Sequence, residues 1–169
     1  MVARAATEGL VSIQNPLVGV LEDIPYSACP IEGVATAGQP PEEAWSGLAR
    51  AGYRTVIDLR TPAEPRDYDE PASVRAAGLD YVALPVSQPT LRDATFDRFR
   101  ELMRDTQLRP IFVHCASSNR VGALLLPYFA LDEGKPLAEA LQLAQRAGLR
   151  NPELGSMAID YSRRHGAQR

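Results

Sequence analysis

The chain has 169 residues, of which 45% are hydrophobic and 23% are charged, and its formal net charge is −3. This length suits one domain that buries a core without metal or disulfide support. Two cysteines are too few for the dense disulfide framework of a small secreted scaffold. The mildly acidic charge supplies no global positive field, so we expect no nucleic-acid partner and only a local anion site.

The sequence also lacks the patterns of a membrane or secreted protein. Its longest apolar run, residues 123–131, is too short for a membrane span and contains Pro127. Residues 1–10 have no apolar stretch of the length that a signal peptide needs. We therefore expect a cytoplasmic protein with no membrane partner. Residues 1–16 are predicted to form an N-terminal arm, and residues 17–169 a single domain.

Short strands alternate with helices along the rest of the chain. Strands are predicted at 17–21, 33–37, 55–59, 81–86 and 111–113. Helices are predicted at 41–51, 119–133, 135–147 and from Asn151 to about His165. A further helix is predicted after Thr90, because Thr90 and Asp93 resemble a capping box and residues 96, 99 and 103 share one apolar face.

This alternation predicts an α/β fold with a mainly parallel central sheet flanked by helices. Ligands of such sheets bind outside the carboxyl ends of the strands. We therefore expect the site where the predicted strands end, at Leu59, Val86 and Val113. The charged, proline-rich stretch 61–71 is predicted to be a surface loop beside it.

The segment after the last predicted strand contains the clearest chemistry. It begins with His114 and Cys115 and reaches Arg120 at the start of an apolar helix. A tight turn here directs backbone N–H groups toward one point at the helix N-terminus, where they can bind a tetrahedral oxyanion. The Arg120 guanidinium matches two oxygens of a phosphate. The predicted substrate-binding residues of this turn are Ala116, Ser117, Ser118 and Asn119.

Cys115 lies at the mouth of this turn. A thiol near a helix N-terminus or a cation ionises far more readily than a free thiol. We therefore predict that Cys115 is the catalytic nucleophile, and that His114 orients the loop rather than acting as a base. The other cysteine, Cys29, is either a resolving thiol for an oxidised Cys115 or a small core residue.

A strand followed by His-Cys, a short turn, Arg and a helix resembles the cysteine-dependent phosphatase superfamily, whose members carry His-Cys-x5-Arg. Here four residues rather than five separate Cys115 from Arg120. With the segments 36–40 (Thr-Ala-Gly-Gln-Pro) and 52–60 (Gly-Tyr-Arg-Thr-Val-Ile-Asp-Leu-Arg), this spacing is similar to the bacterial family described as beta-lactamase-hydrolase-like phosphatases or DUF442 sulfur transferases. The resemblance covers residues 30–135 and implies a phosphatase-like fold.

The loop departs from the superfamily pattern in two positions. The phosphatase loops carry Gly at the sharpest turn and Ser or Thr directly after the Arg. Here Ser118 or Asn119 occupies the turn, and Val121 follows Arg120. Ser117 or Ser118 is the candidate source of the missing hydroxyl.

The superfamily also uses an Asp, on the loop after the next-to-last strand, as a general acid. Asp93 is the candidate for this catalytic role, and the alternative is an ordinary first-turn residue of a helix. Arg60 is predicted either to bind a second anionic group of the substrate or to form a surface ion pair with Glu64. Two His and no paired Cys offer no metal site, so we expect neither a metal nor another cofactor.

These residues support three hypotheses for function. The first is a phosphatase that hydrolyses a phosphomonoester, on a phosphorylated small molecule or a phosphoprotein, through a cysteinyl-phosphate at Cys115. The superfamily resemblance makes phosphotyrosine the natural candidate substrate. The second is a rhodanese-like sulfurtransferase with a persulfide on Cys115, and the third is a non-catalytic module that binds phosphate or sulfate. The sequence leaves the oligomeric state open.

Overall fold

The computed structural model of the chain describes residues 16–166. A five-stranded sheet lies at its centre in the order β1-β2-β5-β3-β4. The neighbouring strands from β2 to β4 in that order are parallel, and β1 is antiparallel to β2 at one edge. The strands are β1 (Ala28–Ile31), β2 (Val34–Ala37), β3 (Thr55–Asp58), β4 (Asp80–Ala83) and β5 (Ile111–His114).

Seven helices are described on the two faces of this sheet. Helices α1 to α3 share one apolar core with the sheet, and α4 to α7 share the other. The helices are α1 (Pro16–Leu21), α2 (Ala44–Arg50), α3 (Glu70–Ala76), α4 (Asp93–Arg104), α5 (Asn119–Leu131), α6 (Leu137–Arg146) and α7 (Pro152–Gly166).

The predicted α/β architecture with a mainly parallel sheet is confirmed, and the antiparallel β1 makes the sheet mixed. The strands predicted at 33–37, 55–59, 81–86 and 111–113 correspond to β2, β3, β4 and β5. Every residue of β2, β3 and β5 is buried. Because these strands are covered on both faces, their sequences read as nearly continuous apolar runs rather than as alternating patterns.

Two predictions near the N-terminus were wrong. The run at 17–21 lies in α1, not in a strand, because a short apolar run fits either structure and here Val20 packs on Gly47 of α2. Strand β1 was missed, since its four residues include Pro30. Cys29 of β1 is exposed, so it is not a core residue. The predicted arm at 1–16 lies outside the described residues except for Pro16.

One local prediction holds over most of its length and another was wrong. The stretch 61–71 is a loop as far as Asp69, as predicted, and then enters α3, whose N-cap Asp69 accepts a hydrogen bond from the Ala72 N–H at 3.2 Å. Thr90 does not cap α4: it lies in a short 3₁₀ turn, and its hydroxyl contacts that of Ser87. The N-cap of α4 is Arg92, which makes no side-chain capping bond. The apolar face of α4 is buried as predicted.

The site is positioned by β5 and α5, the central strand and a central helix. Ten of the thirteen residues of α5 are buried, and it packs against both α6 and α7. The turn between β5 and α5 lies at the carboxyl end of the sheet, flanked by the ends of β2 and β3. Among the described helices, none is long and apolar enough to span a membrane.

A close approach at Gly122 gives a test of this packing. A Cβ atom there would lie 2.5 Å from the Leu149 nitrogen and 2.6 Å from the Ala144 oxygen, both backbone atoms. We expect Gly122→Ala to lower the free energy of unfolding by about 1–3 kcal/mol in urea denaturation.

The matched control is Gly155→Ala, inside α7, where the nearest atom would be 3.7 Å away. Alanine has the higher helix propensity, so this variant should keep or raise stability by up to about 1 kcal/mol. Equal destabilisation by the two substitutions would contradict the close contact at Gly122.

Candidate active site

The turn after β5 is anchored to the neighbouring strand β2. The backbone N–H of Cys115 donates to the Ala37 carbonyl at 3.3 Å, and the N–H of Gln39 donates to the Ala116 carbonyl at 3.1 Å. Ser118 adopts a left-handed conformation with φ of 62°. This conformation reverses the chain where the superfamily pattern has Gly, and α5 starts at the next residue.

Several N–H groups of this turn are free of protein acceptors. Among the described residues, nothing accepts from the backbone N–H groups of Ala116, Ser117, Asn119, Arg120 and Val121. The last three belong to the first turn of α5, where N–H groups have no partner within the helix and the helix dipole is positive. We call residues 115–121 the cradle. Its free donors and its helix dipole suit a tetrahedral oxyanion.

Arg120 is held in place by a carboxylate and a carbonyl. Its guanidinium donates to both oxygens of Glu64, at 2.6 and 2.9 Å, and to the Val86 carbonyl at 2.9 Å. Burial lowers the pKa of Arg120, but the hydrogen bond to Glu64 and the neighbouring Cys115 and Glu64 side chains outweigh burial, so the pKa is raised. Arg120 is therefore a permanent cation beside the Cys115 sulfur.

Glu64 connects Arg120 to the end of β3. The hydrogen bond from Arg120 lowers the pKa of Glu64 to about 2, and the Thr61 N–H and Arg60 add to this effect. Arg60 donates to Glu64 at 3.2 Å, to Gln39 at 2.7 Å and to the Pro65 carbonyl at 2.6 Å. Each of its three nitrogens is thus engaged, so the ion pair with Glu64 describes Arg60 better than a second anion site.

His114 lies under the turn and is fully buried. Its Nε2 lies 2.5 Å from Oε1 of Glu70, and its Nδ1 lies 3.3 Å from the Cys115 carbonyl. Glu70 belongs to the first turn of α3 and also accepts from Gln39 at 2.8 Å and Arg66 at 3.1 Å. This geometry suits the predicted loop-orienting role of His114. Glu70 carries no sequence signal that could have linked it to the site.

Asp58, Glu70 and His114 form a buried group whose potential metal-ligand atoms all lie within 4.8 Å of one another. Arg66 contacts the same two carboxylates, at 2.8 Å for Asp58 and 3.1 Å for Glu70. A guanidinium in that position repels a cation and already neutralises the carboxylates. We therefore interpret the group as a hydrogen-bond network that supports the cradle.

The polar side chains of the turn bond to the segment between α6 and α7. The Ser118 hydroxyl donates to the Ala147 carbonyl at 2.7 Å, which favours Ser117 over Ser118 as the source of the missing hydroxyl. The Asn119 side chain accepts from the N–H groups of Arg150, at 2.8 Å, and Asn151, at 3.0 Å. The Arg150 side chain donates to the Ser117 carbonyl at 2.8 Å.

Arg150 was missed in the sequence. Its guanidinium also lies over the ring of Tyr26, 4.8 Å from the centroid. The helix signals of the sequence place Asn151 at the start of α7, but nothing in them shows that the preceding residue reaches the turn.

Asp93 bonds to α7 and not to the cradle. Both of its oxygens accept from Arg164 of α7, at 2.6 and 2.8 Å. The hydrogen bond from Arg164 lowers the pKa of Asp93. A general acid must hold a proton, so the structure favours the alternative interpretation of Asp93 as a first-turn residue of α4.

Residues 32–157 match the family model described as a DSP-PTPase phosphatase fused to NAD+ kinase. The chain belongs to this family. The match includes the cradle and the four parallel strands β2 to β5 but not β1, and it agrees with the sequence resemblance to cysteine-dependent phosphatases.

A beta-lactamase hydrolase-like protein from Agrobacterium fabrum (strain C58) is 32% identical over 105 residues. The match covers 60% of this chain but only 24% of that protein. The chain therefore corresponds to about a quarter of the length of this relative.

Solved structures share the fold. A crystal structure from Shewanella putrefaciens CN-32, described as a DUF442 phosphatase, aligns with a TM-score of 0.76 and 23% identity, over 87% of this chain and 97% of that one. Tk-PTP in its active form aligns with a TM-score of 0.70 and 19% identity, over 83% and 98%. The chain thus has a phosphatase-like α/β fold.

If the cradle binds an oxyanion, the bound anion should protect Cys115 from alkylation. In a Cys29→Ser background, we expect phosphate to slow alkylation of Cys115 by iodoacetamide, because the anion covers the sulfur. Arg120→Lys should weaken this protection by about tenfold, since lysine cannot bind two oxygens in one plane. Mass spectrometry of the labelled peptide measures the rate. Protection that is absent, or identical in the two proteins, would contradict the cradle.

The ion pair between Glu64 and Arg120 predicts how the free energy of unfolding depends on pH. A carboxyl whose pKa falls from 4.5 to about 2 on folding stabilises the protein above its unfolded pKa. This contribution is lost as the pH falls toward 2, and we expect about 1 kcal/mol because the pair is partly exposed. Urea denaturation between pH 5 and 2 should therefore show a flatter profile for Glu64→Gln than for the wild type.

The control for this experiment is Glu101→Gln, which removes a carboxyl from an exposed ion pair with Arg98. It should follow the wild-type profile. If Glu64→Gln does so as well, then the Arg120 pair does not stabilise the fold.

Proposed function

We propose that the chain is a cysteine-dependent phosphatase that hydrolyses a phosphomonoester through a cysteinyl-phosphate intermediate. Family membership and the phosphatase-like fold support phosphatase chemistry in general. The observation that carries the finer proposal is the position of Cys115, which lies close to Arg120 and is followed by five backbone N–H groups without protein acceptors among the described residues.

The geometry suggests a two-step reaction. The Cys115 thiolate attacks phosphorus, so that the S–P bond forms while the bond to the leaving oxygen breaks. Arg120 and the free N–H groups stabilise the negative charge on the equatorial oxygens. Water then attacks phosphorus, inorganic phosphate is released and the thiolate is regenerated.

The substrate of this reaction is a phosphorylated small molecule or a phosphoprotein. A phosphomonoester fits the cradle because it presents three unesterified oxygens to the donors. Phosphotyrosine remains the natural candidate on the strength of the superfamily resemblance. The chemistry assigned to Cys115 and Arg120 requires no additional cation at the phosphate.

Sulfur transfer is the second candidate function. Its specific support is the short Cys-x4-Arg spacing, which encloses less space than the five-residue spacing of the phosphatases. In this reaction the Cys115 thiolate attacks the outer sulfur of a donor such as thiosulfate, and sulfite leaves. The resulting persulfide then passes its sulfur to cyanide or to another thiol.

A non-catalytic anion-binding module is the third candidate. Val121 follows Arg120, where the phosphatases place a hydroxyl that assists breakdown of the phosphoenzyme. A cradle that binds phosphate but cannot complete turnover would have this composition.

A paired assay separates the three functions. Wild-type protein and Cys115→Ser are incubated with an aryl phosphate and, separately, with thiosulfate plus cyanide. We expect phosphate release by the wild type and a loss of activity of about a thousandfold or more in Cys115→Ser, because serine is a far weaker nucleophile.

Thiocyanate formation without phosphate release would indicate that the protein is a sulfurtransferase and not a phosphatase. Tight phosphate binding with neither product would leave the binding module. Phosphate release that persists in Cys115→Ser would contradict the nucleophilic role of Cys115 in any of these reactions.

A further inference from the structure

The proposed phosphatase reaction needs a proton donor for the leaving oxygen, and most carboxyls around the cradle are unsuited to supply one. Glu64 is held ionised by Arg120, and Asp93 is held ionised by Arg164. Asp58 and Glu70 lie buried in contact with Arg66. A carboxylate that is paired with a guanidinium retains its charge and is a poor acid.

Glu153 is placed differently. It belongs to the first turn of α7, and its backbone N–H donates to the Asn151 side chain at 2.8 Å. The Asn151 N–H in turn donates to the side chain of Asn119, the first residue of α5. The start of α7 is therefore bonded directly to the cradle.

The side chain of Glu153 extends from there to the loop between β4 and α4. It accepts a hydrogen bond from Gln88 of that loop. Two residues earlier in the same loop, the Val86 carbonyl accepts from Arg120 at 2.9 Å. The Glu153 carboxyl thus joins two elements that both contact the cradle.

The surroundings of this carboxyl differ from those of the other four. Among residues 16–166, no Lys, Arg or His forms an ion pair with Glu153. Its one side-chain partner, the neutral amide of Gln88, contacts Oε2 and leaves Oε1 unoccupied. Glu153 is exposed, so its carboxyl is accessible from solvent.

We propose that Glu153 is the general acid of this site, supplied by α7 instead of by the loop after β4. The proposal rests on the phosphatase function proposed above. In the first step, the protonated carboxyl of Glu153 gives its proton to the leaving oxygen as the P–O bond breaks and Cys115 forms the S–P bond. In the second step, the Glu153 carboxylate takes a proton from the water that attacks phosphorus, and the Cys115 thiolate leaves.

Gln88 acts as a positioning residue in this arrangement. The loop after β4 contributes Ser87 and Gln88 at the point where the phosphatases place their Asp. Since neither side chain is an acid, the loop cannot protonate the leaving group. The amide of Gln88 instead holds the carboxyl of Glu153 beside the cradle.

The leaving group determines how much a general acid matters, and this dependence tests the proposal. Phenolate from phenyl phosphate is a strong base that needs a proton, whereas 2,4-dinitrophenolate leaves without one. We expect Glu153→Gln to slow phenyl phosphate hydrolysis by about 10²–10⁴-fold and to change 2,4-dinitrophenyl phosphate hydrolysis by only a few-fold. Glu153→Asp should recover part of the lost rate on phenyl phosphate.

The matched control is Glu139→Gln, which makes the same substitution in the first turn of α6. It should leave both rates unchanged. Thermal unfolding of each variant shows whether the fold is intact.

Three results would overturn the assignment. Equal loss on the two substrates indicates a structural role for Glu153, and unchanged rates on both exclude any role. If the loss of rate depends on the leaving group in Asp93→Asn but not in Glu153→Gln, then Asp93 of α4 is the general acid. If wild-type protein releases phosphate from neither ester, the phosphatase proposal itself fails, and the acid with it.

Discussion

The turn between β5 and α5 concentrates backbone N–H groups that the protein cannot satisfy internally. Leaving such a donor without a partner costs about 1–3 kcal/mol when it is shielded from water. Five of these donors occur within residues 116–121, at the positive end of α5. An oxyanion bound there would supply the missing acceptors, so a local anion site is compatible with a net charge of −3.

The surrounding contacts hold that turn from three directions. From below, Glu70 of α3 holds His114, which contacts the Cys115 carbonyl. On the side of β3, Glu64 holds the guanidinium of Arg120. On the side of α7, the segment 147–151 forms hydrogen bonds with Ser117, Ser118 and Asn119 of the turn. Rigid support of this kind keeps donors aligned before the substrate arrives, which is what electrostatic catalysis requires.

The sequence was sufficient to predict the turn between β5 and α5 because its parts are contiguous. Cys115 and Arg120 are five positions apart, between a buried strand and a buried helix, so local rules of strand, turn and helix describe them. The supporting residues lie far away in sequence: Glu70 is 44 positions from His114, and Gln88 is 65 positions from Glu153. Only the packing of the elements brings such residues together.

The elements that were missed have a similar explanation. Helix α1 and strand β1 are four to six residues long, and their structure depends on what they pack against rather than on their own pattern. The sequence did single out Asp93, but the role of this residue also depends on a distant partner. Its position after β4 suggested an acid, yet its partner Arg164, which lowers its pKa, is 71 positions away.

The central claim is that Cys115 becomes covalently phosphorylated, and the mass of the enzyme during turnover tests it most directly. Wild-type protein is mixed with an aryl phosphate, quenched by denaturation within the first turnover, digested and analysed by mass spectrometry. We predict that the peptide containing Cys115 gains the mass of one phosphoryl group, and that this species is absent from Cys115→Ser. Turnover of the ester with an unmodified Cys115 peptide, or with the phosphoryl group on another residue, would contradict the mechanism.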